Sequence, residues 1–254
     1  MIIILSPAKS LDFKDPGPEH LSSCPAFEEE ASLIVSLLKK MTVTELGSLM
    51  KISPKLAYES YDYYQRWRPS HDNPEAKQAL LAYKGDAYRG MDAASLSGED
   101  LVWAQEHLRI LSGLYGILRP LDLISPYRLE FVTKINPGKY KGLYSFWNDK
   151  LNRSLLDLKN TEGSHILVNL ASAEYFNAID RASTGFRIIT PVFKEYRNGE
   201  YRFFSMFGKR ARGLMARYII QQRISDPEEM KLFDAEGYAF NEPLSQDDEW
   251  VFTR

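Results

Sequence analysis

Ile2, Ile3, Ile4 and Leu5 form a continuously apolar and mostly β-branched run. Such a segment suits a strand covered on both faces better than one at an amphipathic edge, so it belongs near the centre of a sheet. Ser6, Pro7, Ala8, Lys9 and Ser10 follow at once as a loop. Open α/β sheets place ligand contacts at the carboxyl ends of their strands, which makes Lys9 a candidate contact. The opening run is too short for a signal peptide, lacks a basic leader and meets Pro7 immediately. Later apolar runs fall short of the ~20 residues that span a bilayer. A cytoplasmic, membrane-free protein is expected.

With 254 residues, 44% of them hydrophobic and 26% charged, the chain has the profile of a self-folding globular protein. One compact unit over residues 1–254 is expected. The single cysteine, Cys24, rules out an internal disulfide framework. His20, His71, His107 and His165 lack the paired spacing of zinc sites. Neither a metal nor a cofactor is expected.

The net charge of −2 hides a sharp segregation. Residues 201–223 hold Arg202, Lys209, Arg210, Arg212, Arg217 and Arg223 and no acid, whereas residues 224–254 hold nine acids against Lys231 and Arg254.

Residues 12–25, with Pro16, Pro18 and Pro25, read as irregular surface. Apolar spacing of three and four predicts helices over residues 26–40, 44–50, 54–66, 74–81, 98–114 and 144–157. Strands are expected over 165–170, 186–190 and 192–207, the last a hairpin turning through Asn198 and Gly199. A basic helix over 209–224 and a final strand at 250–252 complete the chain. The class is α/β (α+β): one domain with a central mixed sheet and flanking helices.

Two short helices around Lys51, Ile52 and Ser53, with Pro54 suited to a first helical turn, outline a helix-hairpin-helix or a plain helical corner. In a helix-hairpin-helix, free amides and the helix N-terminus take a DNA phosphate, and Lys51 and Lys55 would add charge. Lys209, Arg210, Arg212 and Arg217, at the start of the predicted basic helix, oppose its dipole and so invite an anion. A solvated basic face paired with the acidic tail is the plainer reading. The glycines at 113 and 116 allow close approach or cap structure, and Arg119 and Arg128 nearby could grip phosphate. Glu174, Tyr175 and Lys194 lie in segments that could converge on Lys9 into an enzyme pocket. Tyr58, Tyr61 and Tyr64 follow helical spacing and are expected in the core more than on a stacking surface.

Segments 3–12 (IILSPAKSLD), 49–53 (LMKIS), 111–122 (LSGLYGILRPLD), 126–130 (PYRLE), 169–172 (NLAS) and 209–215 (KRARGLM) occur in an ordered series. Together they resemble the YaaA family of bacterial peroxide-stress-resistance proteins, from residue 3 to about residue 252. The resemblance implies a cytosolic protein that limits unincorporated iron and the oxidative DNA damage iron promotes. It also implies one α/β fold with a positively charged cleft, a helix-hairpin-helix element, and binding to duplex and branched DNA. The family's hairpin falls on Lys51, Ile52, Ser53 and Pro54. Lys51 and Ser53 stand where that motif usually has glycine. Lys9 matches the lysine of the opening Ser-Pro-Ala-Lys motif.

The leading expectation is sequence-independent DNA binding through Lys9, Lys51, Ser53, Lys55, Arg119, Arg128, Lys209, Arg210, Arg212 and Arg217. The alternative is an enzyme acting on a nucleotide or nucleobase, with Lys9 as nucleophile or clamp and Glu174 or Tyr175 moving protons. A third reading docks the basic helix on an acidic partner, such as the tail of another copy. The sequence sets no oligomeric state.

Overall fold

A computed structural model describes residues 1–15 and 21–254. Part of the segment read as irregular, including Pro16, Pro18 and His20, therefore lies outside the described residues.

The main sheet has eight strands: β1 (Ile2–Leu5), β2 (Leu108–Ser112), β3 (Gly116–Leu118), β4 (Ile166–Leu170), β5 (Arg187–Arg197), β6 (Glu200–Arg202), β7 (Ala239–Phe240) and β8 (Glu249–Thr253). Their order is β7-β8-β5-β4-β1-β2-β3, and β6 pairs with the far end of β5. The inner five, β8, β5, β4, β1 and β2, run parallel. Antiparallel β3, β6 and β7 are added around them, so the sheet is mixed. Ile3 lies opposite Leu108 on one side and Val168 on the other, and Ile2, Ile3 and Ile4 are fully buried. The continuous apolar opening thus does what a doubly covered strand requires.

The larger helices are α1 (Glu28–Leu38), α2 (Val43–Met50), α3 (Pro54–Arg66), α4 (Asp86–Met91), α5 (Gly98–His107), α6 (Leu143–Glu162) and α7 (Ser205–Gln222). Thr42 starts α2 with a capping box: its hydroxyl accepts from the Glu45 N–H, and the Glu45 carboxylate accepts from the Thr42 N–H at 2.7 Å. Ser97 and Asp100 repeat the device at α5. Ser53 caps α3, where Pro54 occupies the first turn.

Several sequence expectations need correction. The helix expected over 98–114 ends at His107, and Leu108–Ser112 continues as wholly buried β2. A strand apolar on both faces has no periodicity that separates it from a buried helix. The helix expected over 74–81 is a two-residue strand, Lys77–Gln78, followed by a single turn, Ala79–Ala82. The expected breaks near residue 191 are absent, because β5 runs unbroken from Arg187 to Arg197. Asn198 and Gly199 do turn the chain, with φ of 53° and 86°, as a type I′ turn needs.

The basic helix begins at Ser205, so Lys209 and the later cations lie beyond its first turn, and the expected conflict with its dipole does not arise. Helix α6 is longer than the predicted 144–157. Of the tyrosines assigned to the core, Tyr64 is fully buried but Tyr58 is 66% exposed. The acidic tail is built into the fold. β8 lies between β5 and β7, and Arg254 makes two 3.0 Å contacts with the Glu195 carboxylate.

Helices α4 and α7 touch backbone to backbone. A Cβ at Gly213 would stand 1.7 Å from the Ala87 carbonyl oxygen, and one at Gly90 would stand 2.2 Å from that of Arg210. Only residues without a side chain permit this approach. It draws the basic helix against the segment that follows Gly85.

Candidate basic cleft at the carboxyl ends of the central strands

From β1 the chain first adds β2 on one side, then returns to lay β4 on the other. The order therefore reverses between β1 and β4, and the loops leaving them diverge there to open a crevice. Two contacts at Ser6 tie its loop to the one leaving β4 and to α4. The Ser172 N–H donates to the Ser6 hydroxyl at 2.8 Å, and the Tyr88 hydroxyl donates to the Ser6 carbonyl at 2.9 Å.

The crevice encloses a cavity of about 340 Å³. Its walls come from the loop carrying Lys9, the start of α4 with Tyr88, the segment after β4 with Glu174 and Tyr175, and the face of α7 with Lys209 and Arg212. An adjoining recess shares Lys9 and Ser10 and is closed by Arg128, Tyr127 and the α3 residues Leu56 and Tyr63. The two recesses carry the crevice from α7 toward α3.

The charges are unevenly satisfied. The Lys9 ammonium, 64% exposed, lies 2.8 Å from Glu130, and Arg128 donates to the Lys9 carbonyl at 3.1 Å. Lys84 is paired with Asp12 at 2.8 Å. Lys209 and Arg212 form no ion pair or side-chain hydrogen bond among the described residues. Burial pulls the Arg212 guanidinium below its ordinary value, with no carboxylate to offset the loss of water.

Glu174 Oε1 is buried without a hydrogen-bond partner among the described residues. Burial first, and the charge of Glu130 second, push this carboxyl above the usual glutamate range, while Lys9 acts in the opposite direction. Burial also pushes the Tyr175 hydroxyl well above the usual phenol range. The cleft therefore holds unneutralised cations near a carboxyl group that favours its proton.

The structure divides the sequence candidates. Lys9, Glu174, Tyr175, Lys209 and Arg212 come together, with Arg128 in the adjoining recess. Lys51, Ser53 and Lys55 are exposed at the α2–α3 corner, where Lys51 takes a left-handed conformation with φ 53° and the Ser53 hydroxyl caps α3. Arg119 lies apart, at 3.2 Å from buried Asp122. Arg210 faces away and pairs with Glu236 at 2.6 Å. Arg217 Nη1 donates to the carbonyls of Met91 and Asp92, at 2.9 Å each. Lys194 lies on β5 beside the end of β8, outside both recesses.

Ser6 and Ser172 stood in the loops that the sequence assigns to strand ends, but Lys84, Tyr88 and Glu130 were passed over. Glu130 stood within the segment PYRLE and was open to notice; nothing in the sequence marked Tyr88 or Lys84. Among the described residues, no group of three or more His, Cys, Asp or Glu is placed to hold a metal ion. Among the same residues no helix is long and apolar enough to cross a membrane.

Fold and cleft together define a mixed-sheet α/β protein with a ligand-sized crevice at its switch point. The chain belongs to the family described as Peroxide stress protein YaaA, which matches residues 1–244. It is 47% identical to a UPF0246 protein of Ralstonia pickettii over 254 residues, covering 100% of this chain and 99% of the relative. A UPF0246 protein of Ralstonia nicotianae is 48% identical over 255 residues, again covering 100% and 99%. One from Burkholderia thailandensis is 46% identical over 256 residues, with 100% and 98% covered.

Proposed function

We propose that this peroxide stress protein binds duplex or branched DNA without sequence preference and shields it from iron-driven oxidative damage. The observation that carries the reading is the pair Lys209 and Arg212. They stand three residues apart on one face of α7, line the cleft and have no acidic partner among the described residues. Arg212 is half-buried, and a cation taken from water without a carboxylate is costly unless a ligand supplies the anion, whereas exposed Lys209 adds charge at the rim. Phosphate suits both groups, and contact with phosphate gives affinity without reading bases. The recess leading to α3 supports a path for a strand between the cleft and the exposed corner of Lys51, Ser53 and Lys55. At that corner the positive end of the α3 dipole faces solvent beside Lys51 and Lys55.

The test is duplex affinity as a function of salt. Release of condensed counterions gives a log–log slope of about −0.9 per phosphate neutralised. Affinity that stays flat between low and physiological salt overturns the reading.

A second reading, chemistry on a nucleotide, draws on the proton-favouring Glu174 beside Lys9. Lys9 is engaged with Glu130, which suits an electrostatic clamp better than a nucleophile. A Lys9→Ala variant that keeps full DNA affinity while losing peroxide protection in cells would favour this second reading.

A further inference from the structure

A duplex lying across the rim of the cleft would leave its floor unused. That floor is a cavity of about 340 Å³, within the size class of small-molecule sites and far too narrow for a double helix. It contains polar groups that the protein does not satisfy. Glu174 Oε1 is buried and unpartnered, the Tyr175 hydroxyl has no hydrogen-bond partner among the described residues, and Arg212 has neither a carboxylate nor a carbonyl in reach. Buried polar groups are nearly always paired, so one unpartnered carboxyl oxygen in the wall of a cavity that also holds an unpaired phenol and a half-buried, unpaired guanidinium points to an absent ligand.

We infer that the cavity receives a single nucleotide unit, with its phosphate on Arg212 and Lys209 and the edge of its base on Glu174 and Tyr175. The inference rests on the anion-binding reading of the cleft and narrows it to one ligand chemistry. The planar guanidinium fork matches two phosphate oxygens, and partial burial strengthens the contact by excluding water. Lys209, one turn before Arg212, adds a second charge from the same face.

Glu174 accounts for the base. Its carboxyl belongs to the cavity wall and Oε1 has no partner among the described residues. A carboxyl oxygen accepts from the amino or ring N–H along the edge of a purine or pyrimidine. The ring of Tyr175, edge-on to Phe131 at 5.4 Å between centroids, keeps this wall rigid and largely apolar. Lys9, the cation that would compete for this carboxyl, is already engaged by Glu130 at 2.8 Å.

The same chemistry has two sources, a free 5′-nucleotide or a nucleotide unstacked from a DNA strand. The experiment titrates the full chain with AMP, GMP, CMP and dTMP by calorimetry. In parallel it titrates the chain into a duplex carrying 2-aminopurine at a central mismatch. A saturable mononucleotide with quiet 2-aminopurine identifies the free ligand, and a rise in 2-aminopurine fluorescence identifies the unstacked one. In either case Arg212→Gln weakens the signal by at least about tenfold, the scale of a lost charged hydrogen bond. Glu174→Ala weakens it as well, while Glu174→Gln, which keeps a donor and an acceptor, restores most of it. Arg212→Lys replaces the glutamine variant if the latter fails to fold.

Absence of both signals from folded wild-type protein overturns the inference, as does an Arg212→Gln variant that binds normally. If salt-dependent duplex binding persists in that case, the DNA reading survives alone. Mononucleotide binding without duplex binding has the reverse meaning: the pocket stands and the DNA reading falls.

Discussion

Gly213 on α7 and Ala87 on α4 are in backbone contact, leaving 1.7 Å between the Ala87 carbonyl oxygen and the place where a Cβ at residue 213 would sit. This contact holds Arg212 in the cleft wall. Gly213→Ala must push the helices apart, and overpacking of this severity costs about 3 kcal/mol or more. Urea denaturation should show a lowered midpoint with an unchanged slope. A variant as stable as the parent would disprove the close packing.

Lys209 and Arg212 should each account for about one phosphate contact. Lys209→Gln and Arg212→Gln are expected to flatten the log–log salt dependence of duplex binding by about 0.9 apiece. Lys194→Gln, outside both recesses, is the control and should leave the slope unchanged. Anisotropy titrations at several salt concentrations measure it, and equal slopes for all three variants would count against the cleft.

Arg217 was grouped with the DNA contacts on sequence, yet it donates to the Met91 and Asp92 carbonyls at the end of α4. Its loss takes a charged donor from the Met91 carbonyl, while the Asp92 carbonyl keeps the Ser95 N–H and hydroxyl. Arg217→Ala should therefore lower stability by about 1.5–3 kcal/mol, with duplex affinity at a fixed folded concentration unchanged. Denaturation and binding measured on the same preparation separate the two effects.

Glu174 makes stability depend on pH. Its folded-state pKa is raised, so the folded protein holds this proton more tightly than the unfolded chain does. The resulting stabilisation is present at low pH and is lost as pH rises from the ordinary glutamate range through the raised folded value. Glu174→Gln removes the dependence. Unfolding free energies measured between about pH 4 and about pH 8 should diverge, with the glutamine variant gaining on the parent as pH rises. Parallel curves would contradict the assignment.

Removing residues 247–254 to free the basic helix from an acidic guard will instead unfold the protein. The cut deletes β8 from between β5 and β7 and strips Glu195 of its Arg254 partner. Circular dichroism of the truncated chain should show lost sheet signal. A folded product with tighter DNA binding would restore the guard hypothesis.

Much of the architecture was legible because local signals agreed with it. The apolar opening, the Asn198 and Gly199 turn and Pro54 at the start of α3 each act over a few residues. The boundary at His107 and Leu108 was not legible, because the apolar spacing of α5 runs into a strand buried on both faces. Within the site, Lys9, Glu174, Tyr175, Lys209 and Arg212 were all named from sequence, but so were Arg119, Arg210 and Arg217, which the fold uses elsewhere. Charge says that a residue seeks a partner; whether an acid or a carbonyl already provides one depends on contacts such as that of Arg210 with Glu236, formed only by tertiary packing.

The position of β1 bears on how the protein is made. This strand is synthesised before either of its neighbours, β2 about a hundred residues later and β4 later still. Before β2 forms, four bare apolar residues expose unpaired amides and carbonyls on two sides, and until β4 arrives one side stays open, a sticky template for wrong partners. Nascent chains stalled between residues 112 and 166 should thus be the aggregation-prone species, and a chaperone would find its most urgent work there.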